Sequence, residues 1–405
     1  MLIEFSATNF RSLLTRQTLT MVASADSTLA ESNLIEYSHE KLRLNRQAAI
    51  YGANAAGKSN LLMAIEALRM LVSQSAGLQE GQPLSWIVPF RLGPSNEPAE
   101  TEFEIIFVAE GIRYHYAVAA TSTRIYHEWL VAYPQGRPQR WFERNYDAAR
   151  QQENWKFGPR FAGDRNQHKL WQNSTRSNAL FLSTAVQLNN DQLKPVFHWI
   201  TQQLIVILPG KVDFNPGLSL DLLRSPVGHD QLMKVLTAAD VGIDRMELEE
   251  GSNPLQGSGL LVWARVIAWH TTSEGREIPF DLTEESDGTR ALFQRAGGWI
   301  KALESGATLC VDEIDRSLHP HLTRFLVKLF RSETNPKNAQ VIFTTHDSTL
   351  LDPELLRRDQ IWFVEKNQKA SHFYSLLEFS PRKGEALGKG YLMGRYGAIP
   401  FVGDL

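Results

Sequence analysis

The sequence has only one cysteine in 405 residues and no long hydrophobic run. The single cysteine, Cys310, excludes an internal disulfide framework, is typical of a reducing compartment, and is expected to be a core side chain. The most apolar stretch, residues 259–269, is interrupted by Arg265 and is too short to span a bilayer. The N-terminus is too polar for a signal peptide. We therefore expect a cytoplasmic protein without a membrane segment.

An excess of charge of one sign is also absent, since the formal net charge is −3. The chain therefore has no general attraction for nucleic acid or anionic membranes, and DNA binding would need a local basic patch. Internal repeats and long heptad runs are absent too, which excludes a long coiled-coil arm. With 43% hydrophobic residues, the chain is long enough for two or three lobes with buried cores.

Hydrophobic patterning predicts an α/β fold. Residues 47–51 indicate a buried strand that enters a glycine loop, and apolar positions at helical spacing from Leu61 to Val72 predict a helix after it. Alternation over 103–118 predicts a β-hairpin, which a strand at 124–133 extends into an antiparallel subdomain.

The rest of the chain predicts a helical insertion followed by a parallel sheet. Residues 190–236 have a helical pattern that prolines interrupt. Pro320 suits the first turn of a crossover helix with a clear apolar face. Short apolar runs typical of parallel strands occur at 308–311, 341–343 and 361–364.

The strongest motif is a complete G-x-x-x-x-G-K-S sequence between the predicted strand and helix. Its glycines let the backbone N–H groups face phosphates, Lys58 reaches the β- and γ-phosphates, and the Ser59 hydroxyl ligates Mg²⁺. The motif therefore predicts ATP and magnesium as ligands. The expected nucleotide-binding residues here are Gly52, Ala53, Asn54, Ala55, Ala56, Gly57, Lys58, Ser59 and Asn60.

Two later strands end in polar residues. The strand at 308–311 is followed by Asp312, a candidate magnesium ligand, and Glu313, a candidate general base. The strand at 341–343 leads to His346, which alone would be a turn or capping residue. Beside a phosphate loop, His346 instead fits a contact to the γ-phosphate. We therefore expect Glu313, His346 and Lys58 to take part in ATP hydrolysis.

A fourth element, Glu285 to Arg290, opens an amphipathic helix and contains Ser286, Asp287 and Gly288. Ser286 or Asp287 is expected to cap this helix, and a capped helix N-terminus is also an anion site. These four elements in this order, together with Asn9-Phe10-Arg11-Ser12, resemble the ABC ATPase heads of the RecF, SMC and OLD branch.

The resemblance implies a P-loop fold of the ABC-head type, with a mixed parallel core sheet, an antiparallel β-subdomain and a helical insertion. It also implies a homodimer or higher homo-oligomer, in which Ser286, Asp287 and Gly288 of one head contact ATP held by another. The sequence keeps only the serine and one glycine of the family's Leu-Ser-Gly-Gly-Gln. Gln187 is the candidate for the glutamine near the metal, with an ordinary surface glutamine as the alternative.

The expected organisation has three regions. Residues 1–189 would form the first ATPase lobe with the phosphate loop and the antiparallel subdomain. Residues 190–245 would form the helical insertion, and 246–405 the second lobe with the signature-like motif, Asp312, Glu313 and His346.

Within that branch, the chain is similar to the stand-alone RloA/AbiL-type ATPases of bacterial anti-phage systems, also grouped as an AAA-type family. The similar stretches are 48–62, 179–192, 312–320 and 390–400. The resemblance implies a separate RloB-like effector with a TOPRIM-type nuclease fold. The segment after His346 is too short for a fused nuclease domain, which agrees with a separate effector.

Two other functions stay open: a RecF-like DNA-repair head that clamps on DNA, and a nucleotide-sensing scaffold with negligible turnover. Nucleic acid could contact a basic stretch at 137–171, where arginines and lysines alternate with aromatic residues. We favour the simpler interpretation, in which this stretch forms sheet edges with aromatic side chains in the core.

Overall fold

The structure is a computed structural model that describes residues 1–37, 40–93, 100–208, 217–239, 242–255, 259–331, 335–380, 382 and 384–400. The strands are β1 (Leu2–Thr8), β2 (Gln17–Thr20), β3 (Leu34–Tyr37), β4 (Leu42–Asn45), β5 (Gln47–Gly52), β6 (Thr101–Ala109), β7 (Ile112–Ala120), β8 (Ile125–Tyr133), β9 (Gln139–Asp147), β10 (Gln152–Phe157), β11 (Leu204–Ile207), β12 (Arg245–Leu255), β13 (Gly259–Thr271), β14 (Glu277–Asp281), β15 (Thr308–Val311), β16 (Gln340–Thr344), β17 (Ile361–Asn367) and β18 (Ala370–Ser375). The helices are α1 (Ala30–Asn33), α2 (Lys58–Gln74), α3 (Arg165–Ser174), α4 (Phe181–Gln187), α5 (Lys194–His198), α6 (Gly217–Leu223), α7 (Pro226–Ala238), α8 (Asp287–Ser305), α9 (Pro320–Leu329) and α10 (Leu387–Leu392).

The central sheet has six strands in the order β11-β15-β16-β5-β17-β18. The first five are parallel, and β18 joins the edge in the antiparallel direction. Every residue of β5, β15 and β16 is buried, as expected for parallel strands covered on both faces. The predicted parallel sheet is confirmed.

Alternate residues of these strands pack into different cores. Ile50, Cys310 and Ile342 pack with α2 on one face, whereas Ala49 and Leu309 pack with α8 and α9 on the other. The period of two along a strand therefore divides the apolar residues between two helical layers. Cys310 is a buried free thiol, as expected, and burial raises its pKa.

A second sheet of seven antiparallel strands has the order β10-β9-β8-β7-β6-β1-β2. It confirms the predicted hairpin, now β6 and β7, and its extension by β8. Phe103, Ile105 and Tyr116 on its inner face share one core with α2. The helix that follows the phosphate loop therefore lies between the two sheets.

The basic stretch at 137–171 forms β9, β10 and α3, and its aromatic side chains face inward. Trp141 and Phe142 are buried, and Trp155 packs against the same core. Arg144 is also buried and forms an ion pair with Glu153 at 2.9 Å. Aromatic rings held in this way are not available to stack on bases, which supports the sheet-edge interpretation.

The region expected to be a helical insertion contains α5, α6 and α7, but it also contains a strand. Leu204–Ile207 forms β11 at the edge of the central sheet, paired in parallel with β15. The prediction of helix is therefore wrong for these four residues, because a short apolar run has no periodicity that separates strand from helix. Pro209 and Pro216 lie outside the described residues. The three-region division of the chain stays a prediction.

The apolar stretch at 259–269 belongs to a separate three-stranded antiparallel sheet, β12-β13-β14. Its backbone pairing runs from Arg245 and Trp269 to Leu255 and Gly259. This sheet immediately precedes the segment that leads into α8. Together, the mixed central sheet, the antiparallel subdomain and the helices confirm the expected α/β class. Among the described residues, none of the helices has the length and apolar character needed to cross a membrane.

Candidate active site

The residues expected to act on ATP meet at one edge of the central sheet. In parallel strands, the carboxyl ends lie at the same edge, and β15, β16 and β5 are neighbours. The segment after β15 begins with Asp312, the segment after β16 contains His346, and the phosphate loop follows β5. With strands spaced about 4.8 Å apart, these three segments lie within roughly 10 Å of each other across the sheet.

The phosphate loop has a backbone suited to binding an anion. Gly57 has φ 107° and caps the N-terminus of α2 without a side chain, so the first N–H groups of this helix have no capping side chain. Such N–H groups are the usual donors to phosphate at a helix N-terminus. A Cβ atom on Gly57 would lie 2.0 Å from Ser371 Oγ, so the loop requires glycine here.

Behind the loop, three side chains form a directed chain of hydrogen bonds. Asn60 Nδ2 donates to Ser12 Oγ at 2.5 Å, and Ser12 Oγ lies 2.6 Å from Ser371 Oγ. Ser371 Oγ in turn donates to the Ala56 carbonyl at 2.5 Å. Ser12, from the Asn9-Phe10-Arg11-Ser12 motif, and Ser371, which the sequence did not indicate, therefore support the loop from outside. The Asn60 side-chain amide therefore donates to this supporting chain of hydrogen bonds.

Lys58 is buried at the start of α2, within electrostatic range of the carboxylates that follow β15. Its Nζ atom donates to the carbonyls of Gly52 at 2.9 Å and Ala53 at 3.2 Å. Burial lowers the pKa of Lys58, while the nearby carboxylates, Asp312 first among them, raise it. Lys58 and Asp312 therefore lie close enough to interact electrostatically.

Asp312 and Glu313 are organised by Thr344 on the adjacent strand. Thr344 Oγ1 donates to Asp312 Oδ1 at 2.6 Å and accepts from the Glu313 backbone N–H at 2.7 Å. Asp312 is buried, whereas the Glu313 side chain is 40% exposed and lies 3.8 Å from the Arg316 guanidinium. Glu313 also has φ 50°, a left-handed conformation that is uncommon for a residue with a side chain.

His346 is exposed just beyond β16, with its backbone N–H 3.3 Å from the Asp315 carboxylate. Partial burial and the Lys58 ammonium lower the pKa of His346, and the carboxylates of Asp315, Glu313 and Asp312 oppose them. The structure therefore places His346 in the electrostatic surroundings of Lys58. A neutral imidazole there is able to donate one N–H to a phosphate oxygen.

The signature-like residues lie beside the segment that follows Glu313 in the same chain. Ser286 caps α8 and accepts a hydrogen bond from the Thr289 N–H at 3.1 Å. A Cβ atom on Gly288 would lie 3.1 Å from the Ser317 carbonyl oxygen, and Asp287 pairs with Arg290. Within the described part of the chain, no recorded hydrogen bond or ion pair joins Ser286, Asp287 or Gly288 to the phosphate loop.

Gln187 is the exposed last residue of α4. This helix is attached to the end of α2 that is remote from Lys58, because Ser183 Oγ donates to the Val72 carbonyl at 2.6 Å. The role of Gln187 near the metal stays a prediction.

A phosphate loop that leads into a helix, a buried lysine and a strand-end Asp-Glu pair define the class of P-loop ATPases. A family model described as "AAA domain, putative AbiEii toxin, Type IV TA system" matches residues 48–352, which is more than half of the chain. The chain therefore belongs to this family. No curated protein sequence matches it.

Several solved SMC head structures are similar to the chain, each at 14% identity. An SMC head bound to the C-winged helix domain of ScpA has a TM-score of 0.45, with 92% of this chain and 97% of that chain covered. The SMC head domain from Thermotoga maritima has a TM-score of 0.41, with coverage of 92% and 98%. An Smc head with an extended coiled coil, bound to the C-terminal domain of ScpA derived from Pyrococcus furiosus, has a TM-score of 0.42, with coverage of 93% and 97%.

Proposed function

We propose that this chain is an ABC-type ATPase that binds Mg-ATP, hydrolyses it with Glu313 as general base, and regulates a separate nuclease-like effector in anti-phage defence. The observation that supports the enzymatic part most is the meeting of Lys58, Asp312 and Glu313 at one sheet edge. A triphosphate bound there would have a cation at its terminal phosphates and a carboxylate beside the attacking water.

The residues at this edge also fit magnesium. Ser59 and Asp312 would hold the ion. Gln187, on a helix attached to the far end of α2, stays a separate prediction for a further ligand. Hydroxyl and carboxylate oxygens are donors that magnesium prefers, and the Thr344 hydroxyl orients the Asp312 carboxylate. When bound, the ion would neutralise charge on the β- and γ-phosphates.

The chain's own groups would perform the remaining steps. The loop N–H groups and Lys58 would bind the phosphates, because a helix N-terminus and an ammonium both favour anions. The Glu313 carboxylate would orient the attacking water and accept its proton. The neutral imidazole of His346 would donate to the γ-phosphate and so distinguish ATP from ADP.

Glu313→Gln tests this assignment directly. The amide retains the size of the side chain but cannot accept the proton, so steady-state turnover should fall by roughly 10²- to 10⁴-fold while ATP stays bound. Turnover is measured by phosphate release and bound nucleotide by equilibrium titration. Glu80→Gln, which changes an exposed glutamate in a loop, is the matched control. Unchanged turnover in Glu313→Gln would remove this residue from the reaction.

We also propose that two copies form a dimer around ATP, with Ser286, Asp287 and Gly288 of one copy facing the nucleotide of the other. The resemblance to ABC heads supports this arrangement. The position of Gly288 beside Ser317, without a hydrogen bond or ion pair from these three residues to their own phosphate loop in the described part of the chain, is compatible with it.

The effector part of the proposal is supported by the resemblance to RloA/AbiL-type ATPases and by a family description that names a toxin–antitoxin system. It is tested by affinity purification after expression with the neighbouring genes, followed by native mass measurement with and without ATP. Stoichiometric recovery of a nuclease-like protein is the expected result. Purification of this chain alone in both nucleotide states would contradict the effector proposal and leave the ATPase assignment standing.

A further inference from the structure

We infer that Arg295 and Thr344 are positioning residues that hold the Glu313 backbone from its two sides, so that the carboxylate points to the attacking water. The inference deepens the proposed function, because it rests on Glu313 acting as the general base. It assigns a role to Arg295, a buried cation of α8. The proposed roles of the phosphate loop, the strand-end carboxylates and the signature-like residues do not involve this arginine.

The Glu313 backbone requires external support. Its φ of 50° lies in the left-handed region, where the Cβ atom of an L-residue approaches the following carbonyl oxygen. Non-glycine residues keep such conformations only where their surroundings fix them, and these positions are frequent at functional sites. Relaxation to an extended or helical φ would turn the carboxylate away from its present direction.

Thr344 holds the N–H side of Glu313. Its hydroxyl has one hydrogen, which goes to Asp312 Oδ1 at 2.6 Å, and a lone pair that accepts from the Glu313 N–H at 2.7 Å. The Thr344 carbonyl also accepts from the Ile314 N–H at 3.0 Å. Thr344 is fully buried, so water does not replace these bonds easily. A single side chain thereby fixes the proposed metal ligand and the general base relative to each other.

Arg295 holds the carbonyl side. Its guanidinium donates to the Arg316 carbonyl at 2.8 Å and to the Glu313 carbonyl at 3.3 Å. Arg295 is only 7% exposed, and burial lowers its pKa to about 10, so it remains a cation at neutral pH. A buried charge is unfavourable unless it is hydrogen-bonded, and an apolar side chain would fill a helix-packing position more readily. The two carbonyl contacts give a physical reason for an arginine at this position.

The two supporting residues belong to different elements, and each element also carries or adjoins another residue of the proposed site. Thr344 lies two residues before His346, the proposed γ-phosphate contact. Arg295 is nine residues after Ser286 on the same helix, about 13 Å along its axis. The geometry of Glu313 therefore depends on β16 and α8 together. A displacement of either element would change the position of the general base.

Substitutions of the two residues test the inference. In Arg295→Met, kcat for ATP should fall about 10- to 100-fold while KM and ATP affinity stay within about twofold, because a small misplacement of a reacting group lowers the rate without removing phosphate contacts. Arg295→Lys retains the charge without the planar fork and should recover only part of the rate. Thr344→Val should likewise lower kcat, and it should also raise the magnesium concentration needed for half-maximal turnover. Thr344→Ser, which keeps the hydroxyl, should restore both kcat and this magnesium concentration.

A matched control is Arg331→Met. Arg331 likewise donates to backbone carbonyls, those of Glu354 and Leu355, but outside the candidate site, so its loss should leave kcat unchanged. Thermal unfolding of each variant separates loss of fold from loss of positioning.

A measurement independent of turnover completes the test. Hydrogen–deuterium exchange of the peptide around 312–316 should be faster in Arg295→Met and Thr344→Val than in the wild type, and unchanged in Arg331→Met. If residues 312–316 exchange at the wild-type rate in both variants, the inference is overturned even if the ATPase assignment holds. If the wild-type protein shows no ATP turnover but residues 312–316 exchange faster in the two variants, the proposed function is overturned and the positioning role is retained.

Discussion

At the scale of single residues, Gly57 carries the tightest steric requirement of the phosphate loop. In Gly57→Ala, the new methyl group would meet Ser371 Oγ and Ser12 Oγ, and the left-handed φ would add about 1–2 kcal/mol of strain. The loop would have to move, so the Kd for ATP should rise about 10-fold or more, as 1.4 kcal/mol corresponds to a factor of ten. Titration calorimetry measures this change.

Gly77→Ala is the matched control for the loop glycine. Gly77 follows α2 in a short 3₁₀ turn and has open space around its Cβ position. Its substitution should leave ATP affinity within about twofold of wild type. Equal affinities for Gly57→Ala and Gly77→Ala, with both variants folded, would show that the loop tolerates a side chain.

The titration of His346 gives a second prediction at this scale. Partial burial and then the Lys58 ammonium lower the pKa of His346 from 6.5, so the neutral form should predominate above pH 6.5. Turnover that depends on a neutral imidazole should therefore hold as pH falls towards 6.5 and decline below the His346 midpoint. Removal of the cation in Lys58→Met should raise this midpoint.

The midpoint is measured by NMR of the histidine ring protons, with His346→Gln used for assignment. Because Lys58→Met should abolish phosphate binding, the titration itself and not activity is the readout. A midpoint that falls or stays constant in Lys58→Met would contradict an electrostatic contact between the two side chains.

At the scale of elements, local patterns were sufficient for much of the fold. The strand, loop and helix around Lys58, the β6–β7 hairpin and helix α9 are confirmed, because alternation and helical spacing are properties of neighbouring residues. Strand β11 was not predicted, since its four apolar residues acquire their strand pairing only from β15, far along the chain. The β12–β14 sheet does not follow from the apolar stretch at 259–269 alone, because its pairing depends on residues of β12 and β14 outside that stretch.

The residues around the candidate site divide in the same way. Lys58 could be proposed from the fixed spacing within the phosphate-loop motif, and Asp312 and Glu313 from their place directly after an apolar strand. Their supports could not: Thr344 is 31 residues from Glu313 in sequence, Arg295 is 18, and Ser371 is 315 from Ala56. No short motif joins residues at such separations, so only the fold brings them together.

At the scale of the whole molecule, one copy of the chain does not bring its signature-like residues to its own phosphate loop among the described contacts. The N-terminus of α8 lies beside the segment after Glu313, where a second copy could approach it. A terminal phosphate held between Lys58 of one copy and Ser286 of another would join the two through charge-assisted hydrogen bonds. Association should therefore depend on the presence of the γ-phosphate.

Glu313→Gln is the form in which this dependence is measured most clearly, since ATP should persist unhydrolysed. Sedimentation velocity should show a dimer of Glu313→Gln with Mg-ATP and a monomer with ADP. Adding Ser286→Arg, which places a bulky side chain at the helix N-terminus, should keep the protein monomeric while one copy still binds ATP. Lys58→Met provides the control without bound nucleotide. A dimer that is equally stable with ATP, with ADP and in the Lys58→Met variant would mean that another surface joins the copies. A contact made through the γ-phosphate has to be lost when the γ-phosphate is absent.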